Sequence, residues 1–159
     1  YRGSSFLLWK DYLIHEEVVR YLLSNKHLQE IDFTTATIDE INEIFNLIAW
    51  IKDWYRNNIK TVNGKNQKVN VTDTLATKII LGTLGCIPAY DRYFITGIRN
   101  KGLSYSGLKP NNFSNVVEFY KENQEQFSLA NLIIMERSGI NYPAMKLVDM
   151  FFWQIGFEI

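Results

Sequence analysis

The chain has 159 residues, 47% of them hydrophobic and 14% aromatic, with 17 basic and 17 acidic side chains and a formal net charge of zero. That fits one globular domain with a sizeable core, and the balanced charge excludes a uniformly basic nucleic-acid binder, so any such contact must come from a local patch. The single cysteine, Cys86, excludes an intrachain disulfide, a cysteine-based zinc site and an iron–sulfur cluster held by this chain alone.

No apolar run approaches the ~20 residues of a membrane span. A soluble cytoplasmic protein with no cofactor, no metal and no membrane partner is the expectation. Residues 5–24, SFLLWKDYLIHEEVVRYLLS, set Leu8, Tyr12, Val19, Leu22 and Leu23 near helical spacing. Asp11, Glu16, Glu17 and Arg20 fall outside that stripe, which predicts an amphipathic helix. His15 and His27 lack ligand spacing and read as surface or helix-end residues.

Thr37 to Glu40 forms a capping box ahead of the periodic run Ile41, Ile44, Phe45, Ile48, Ile51 and Tyr55, predicting a helix that reaches about Asn58. Trp50 and Trp54 are one turn apart. Such a pair either packs against a neighbouring helix or forms an exposed stacking platform. From Arg56 to Lys68, RNNIKTVNGKNQK, four cations occur with no acid: Arg56, Lys60, Lys65 and Lys68. Asn63-Gly64 is a turn signal, and its flanks predict a short β-hairpin within 61–70. The basic cluster is either a solvated loop or a phosphate contact.

Thr72 is a candidate N-cap for a largely apolar helix from Asp73 to Leu84, whose only cation is Lys78. Gly85 stands where a left-handed cap ends a helix, and Pro88 is placed for the first turn of the next. Asp91 then falls in that first turn, where backbone N–H groups and the helix dipole favour a carboxylate. After Gly102 a turn-rich connector, LSYSGLKPNN, leads to Ser114 as cap of NVVEFYKENQEQF. Ser128 is read as cap of LANLIIMERSG, stopping at Gly139, and Pro143 opens PAMKLVDMFFWQI, ending at Gly156. Apart from the hairpin, no segment keeps period-two alternation, so the fold class is all-α, a single bundle of about seven helices.

The closing helix is apolar almost all round, yet carries Lys146 and Asp149 three residues apart on one face. They are either a buried pair ordering the core or the polar part of a pocket. With Lys78, Asp91 and Arg92, convergence of these groups would make a polar pocket in an apolar bundle, the usual anatomy of a site. A carboxylate at a helix start can stabilise an oxocarbenium ion or orient water while a base leaves a sugar.

The run ATKIILGTLGCIPAYDRYFITGIRNKG resembles the segment of helix-hairpin-helix DNA glycosylases that passes from the second hairpin helix, through a Pro-x-Asp turn, into the next helix. The resemblance covers residues 76–102 and the 143–156 tail. There KLVDMFFWQIG is similar to the closing helix of small bacterial relatives, which also carry a Thr-Lys helix, a proline and an Asp. It implies that Asp91 is the catalytic carboxylate. A lysine in the preceding helix attacks the sugar in one branch of the family. Lys78 lies closer to the Asp than that lysine, and the nucleophile role is not carried over. VNVTDTLAT replaces the glycine-rich L-P-G-V-G hairpin that grips DNA, and Pro88 to Asp91 is one residue longer than Pro-x-Asp. The resemblance thus implies a nucleic-acid partner, with Lys78, Arg92, Lys60, Lys65 and Lys68 as phosphate or substrate contacts. The readings from other classes are a non-enzymatic protein-interaction or regulatory domain of bacterial origin, with another protein as partner, and a small-molecule binder or enzyme using the same pocket.

Overall fold

A computed structural model describes residues 7, 10–62, 65–66 and 68–159. Among them are seven α-helices: α1 (Glu16–Ser24), α2 (Ile38–Asn58), α3 (Asp73–Thr83), α4 (Arg92–Asn100), α5 (Pro110–Glu122), α6 (Gln124–Ser138) and α7 (Ala144–Phe157). Short 3₁₀ turns at Tyr12–His15 and Lys26–Glu30 flank α1. Two-residue strands β1 (Thr61–Val62) and β2 (Lys65–Asn66) pair antiparallel, with Thr61 opposite Asn66 and Val62 opposite Lys65. The Asn63-Gly64 turn predicted between them lies outside the described residues. No helix is long and apolar enough to cross a membrane among the described residues.

The capping box forms as the sequence requires. The Thr37 hydroxyl accepts from the Glu40 N–H at 3.3 Å, and the Glu40 carboxylate accepts from the Thr37 N–H at 2.8 Å. Behind it, Ile41, Ile44, Leu47, Ile48, Ile51 and Tyr55 are buried on one face of α2, which packs on α1, α3 and α5. Trp50 and Trp54 are half-buried: Trp50 stacks on Tyr21 at 3.7 Å between ring centroids, and Trp54 sits edge-on to Tyr55. They belong to the periphery of the core.

The α4–α7 crossing is the tightest contact in the fold. A Cβ on Gly97 would lie 1.9 Å from the Phe152 carbonyl oxygen, and one on Gly156 would lie 1.9 Å from that of Tyr93. Only glycine lets these backbones approach so closely. The crossing fixes α4, and with it Asp91, against α7.

Four expected boundaries are corrected. Among the described residues the first helix is α-helical from Glu16, and its buried residues are Val18 and Leu22, while Tyr12 and Leu23 are exposed; Leu8 lies outside the described residues. Pro88 precedes α4 instead of opening it, so Asp91 is the N-cap and not a first-turn residue. Ser114 lies inside α5, because Pro110 starts that helix and Ser114 Oγ donates back to the Pro110 carbonyl at 3.1 Å. The run through NVVEFYKENQEQF breaks at Asn123, whose side-chain amide donates to the Phe119 carbonyl at 2.8 Å; α6 therefore begins at Gln124 and Ser128 lies in its second turn. Gly85 and Gly139 take the left-handed conformation their positions imply, with φ of 68° and 71°.

Candidate functional site

The connection between α3 and α4 is buried from Leu84 to Tyr90, so its backbone groups need internal partners. Three side chains supply them. Asp149 Oδ1 on α7 accepts from the Ala89 N–H at 2.9 Å. On α3, Thr77 Oγ1 accepts from the Tyr90 N–H at 3.0 Å, and Thr74 Oγ1 donates to the Tyr90 carbonyl at 2.7 Å. The dipeptide before Asp91 is thereby clamped from both sides.

Asp91 follows with extended backbone, φ −90° and ψ 177°, as N-cap of α4. Its Oδ1 accepts from the Tyr93 and Phe94 N–H groups, both at 3.1 Å. Its Oδ2 lies 3.1 Å from the Nζ of Lys78, which precedes it in the chain across the end of α3 and the buried loop. The Asp91 side chain is only 14% exposed while that of Lys78 is 55% exposed, so a largely buried carboxylate is met by an amine in contact with solvent. The second pair has the same character. Asp149 is buried, and its Oδ2 is 3.0 Å from the half-buried Lys146 Nζ.

Both pairs line one open cleft of about 1170 Å³. Lys78, Leu81 and Gly82 from α3 form one side of its lining, Phe127, Ala130 and Ile134 from α6 another, and the Lys146, Asp149 and Trp153 face of α7 a third. Phe119 of α5 and the exposed Phe151 add aromatic surface, their rings stacked at 5.7 Å between centroids. Among polar groups, the amides of Asn123, Gln126 and Gln154 join the two ion pairs. Hydrogen-bonding groups are therefore few and set in an apolar surround, as in small-ligand sites.

Convergence thus extends to Lys78, Asp91, Lys146 and Asp149. It does not extend to Arg92, which is exposed, lies 4.4 Å over the Tyr93 ring and does not line the cleft. Lys60, Lys65 and Lys68 are exposed, and none lines the cleft. Arg56, the fourth cation of that cluster, pairs with Asp53 one turn back on α2. Trp153 shares the Lys146 face by helical spacing and was legible from it. Thr74 and Thr77 carried no such signal, since a threonine in a helix ordinarily bonds only its own turn.

Two neighbouring groups are excluded from chemistry by burial. Cys86 is buried, and desolvation pushes its thiol up to about 12, so it carries no thiolate near neutrality. The Tyr90 hydroxyl is fully buried without a partner among the described residues, and burial pushes its ionisation up as well. No group of three or more His, Cys, Asp or Glu side chains is placed to hold a metal ion among the described residues. Comparison of the chain with protein-family models, with curated proteins and with solved structures gives no match.

Proposed function

We propose that this is a nucleic-acid-related, DNA-glycosylase-like protein: the cleft receives a base turned out of the duplex, and Asp91 is the carboxylate that assists its release from the sugar. The observation that carries the reading is the convergence of the Lys78–Asp91 and Lys146–Asp149 pairs in one aromatic-lined cleft. A flipped base needs a pocket with apolar or aromatic faces and a few hydrogen-bonding groups for its edge. Two backbone N–H groups hold Asp91 Oδ1, leaving Oδ2 directed at Lys78. A carboxylate fixed in this way is preorganised to stabilise positive charge developing on a sugar. Lys78 Nζ is exposed enough to exchange its aspartate for a phosphate of the flipped nucleotide. Arg92, Lys60, Lys65 and Lys68 would add backbone contacts outside the cleft, felt as salt-dependent affinity.

The test is wild-type protein and Asp91→Asn on a panel of lesion-bearing and mismatched duplexes at low and moderate salt. Asparagine caps a helix about as well as aspartate, so the fold is kept to within about 1 kcal/mol. Release of the base is expected to disappear in the variant while binding persists. Absence of both release and salt-sensitive binding at micromolar wild-type protein would overturn the reading.

A second reading, a protein-interaction module, has its own observation. On α6, Leu129, Leu132, Ile133 and Met135 are between 41% and 60% exposed, an apolar surface of the kind that marks contact sites.

A further inference from the structure

Among the described residues, glycines stand where they do for two reasons, and Gly82 fits neither. Gly85, Gly102, Gly107 and Gly139 have positive φ, and Gly97 and Gly156 sit where α4 and α7 backbones meet. Gly82 lies within α3 in ordinary helical conformation, and a Cβ built on it would meet nothing within 4 Å. Inside a helix glycine is less stabilising than alanine, so neither backbone geometry nor packing accounts for it. What it does touch is open space: Gly82 is exposed and lines the cleft one helical turn beyond Lys78, on the same face as the Lys78–Asp91 pair.

We propose that Gly82 keeps the cleft wide beside Asp91 for a substrate group larger than an ordinary base: a neutral heterocycle extended by an aryl or alkyl substituent. The proposal rests on the reading of the cleft as a base site and names its substrate class. Size follows from the volume of about 1170 Å³, which is at or beyond the upper end of sites that enclose drug-sized ligands. Neutrality follows from the charges, since each lysine in the cleft is matched by an aspartate at 3.0 to 3.1 Å. Lys78 is left to the nucleotide's phosphate, and an ionised substituent would compete with the more buried Lys146–Asp149 pair in a largely apolar surround. The aromatic extension follows from Phe119, Phe127 and Phe151, whose rings lie 5.7 to 6.3 Å apart between centroids. The heterocycle's own edge would be met by the Gln126 amide and by the amide oxygen of Gln154, whose nitrogen donates to Glu158.

The experiment is calorimetric titration of wild type, Gly82→Ala and Gly82→Leu with two free probes, adenine and N6-benzyladenine. Wild type is expected to bind N6-benzyladenine about tenfold or more tightly than adenine, a difference of about 1.4 kcal/mol. Gly82→Leu should abolish that preference, with a melting temperature at or above that of wild type. Gly82→Ala should fall between, and it decides the matter alone if the leucine variant fails to fold. Equal or undetectable binding of both probes by wild type overturns the proposal, as does an undiminished preference in the folded variants. Because the probes are free in solution, their preference is read separately from base release on duplexes. Size-selective binding without release would refute the glycosylase-like reading and keep Gly82 as the size filter.

Discussion

Asp149 holds two partners at once, and the stability of the Lys146–Asp149 pair should therefore depend on what replaces the carboxylate. Consider Lys146→Met first. It removes the amine 3.0 Å from Oδ2 and leaves a carboxylate with a side chain only 7% exposed, still bonded to the Ala89 N–H. Breaking a buried pair from one side costs roughly 3–5 kcal/mol, and the remaining N–H bond argues for the lower end, about 3 kcal/mol. For a chain of this size that lowers the melting temperature by ~6–12 °C. Now add Asp149→Asn. The asparagine oxygen still accepts from Ala89, and no buried charge is left, so the double variant should recover about 2 kcal/mol of the loss. The same Asn substitution in wild type should instead destabilise by about 1 kcal/mol, because it takes the partner from an ammonium that is 34% exposed and can turn to water. Replacing Asp149 by Leu in the Lys146→Met background should cost a further 1–3 kcal/mol or so, since the buried Ala89 N–H then has no acceptor. Urea unfolding of the five proteins gives the cycle. If Asp149→Asn destabilises equally with and without Lys146, the pair is not coupled and the reasoning fails; if Leu and Asn are equivalent, the clamp on Ala89 contributes nothing.

Gly97→Ala should destabilise by about 3 kcal/mol or more, because its Cβ would stand 1.9 Å from the Phe152 carbonyl oxygen, whereas Gly139→Ala, at φ 71° in open space, should cost about 1 kcal/mol; thermal denaturation showing the two equal would refute the close crossing. His15 is half-buried beside the Tyr55 hydroxyl, and burial lowers its pKa below 6.5. A folded pKa below the unfolded one means the native state prefers the neutral ring. The contribution of His15 is thus complete above pH 6.5 and is lost as pH falls through the lower folded value; a His15→Phe variant should show a flatter stability profile in that window, and an unchanged slope would exclude His15. Cys86, buried and with its thiol pushed up to about 12, should react with a thiol reagent at neutral pH only as fast as the protein opens, so labelling and unfolding should share one dependence on urea.

Local rules carried the sequence reading where a signal and its partner are neighbours. The capping box needs only Thr37 and Glu40, and Gly85 needs only the end of its own helix. The reading failed where two local signals compete. Val18 and Val19 are adjacent, as are Leu22 and Leu23, so two apolar stripes are available on α1 and only packing against the other helices selects Val18 and Leu22. Ser114 and Ser128 look like caps by residue type, but both lie inside helices, where a hydroxyl that returns to its own helix, as that of Ser114 does, is equally at home. The site was half legible for a related reason. Lys146 and Asp149 are three residues apart and had to share a face. The Lys78–Asp91 pair, by contrast, closes through a buried loop whose course is set by Asp149, 60 residues beyond Ala89 in the chain.

One helix consequently ties the stability of this protein to its candidate site. On α7, Phe152 and Gly156 meet the α4 backbone, Asp149 clamps the loop that delivers Asp91, and Lys146 and Trp153 line the cleft. A substitution at any of these positions alters folding and site geometry together, and a loss of binding there cannot be assigned to chemistry. Two positions escape that coupling. Asp91→Asn preserves the oxygen that caps α4 while removing the charge paired with Lys78. Gly82→Leu adds volume where a Cβ meets nothing and supplies a better helix former. Functional evidence should come from this pair of variants, because at both of them the physical argument for an intact fold is independent of the argument for a changed site.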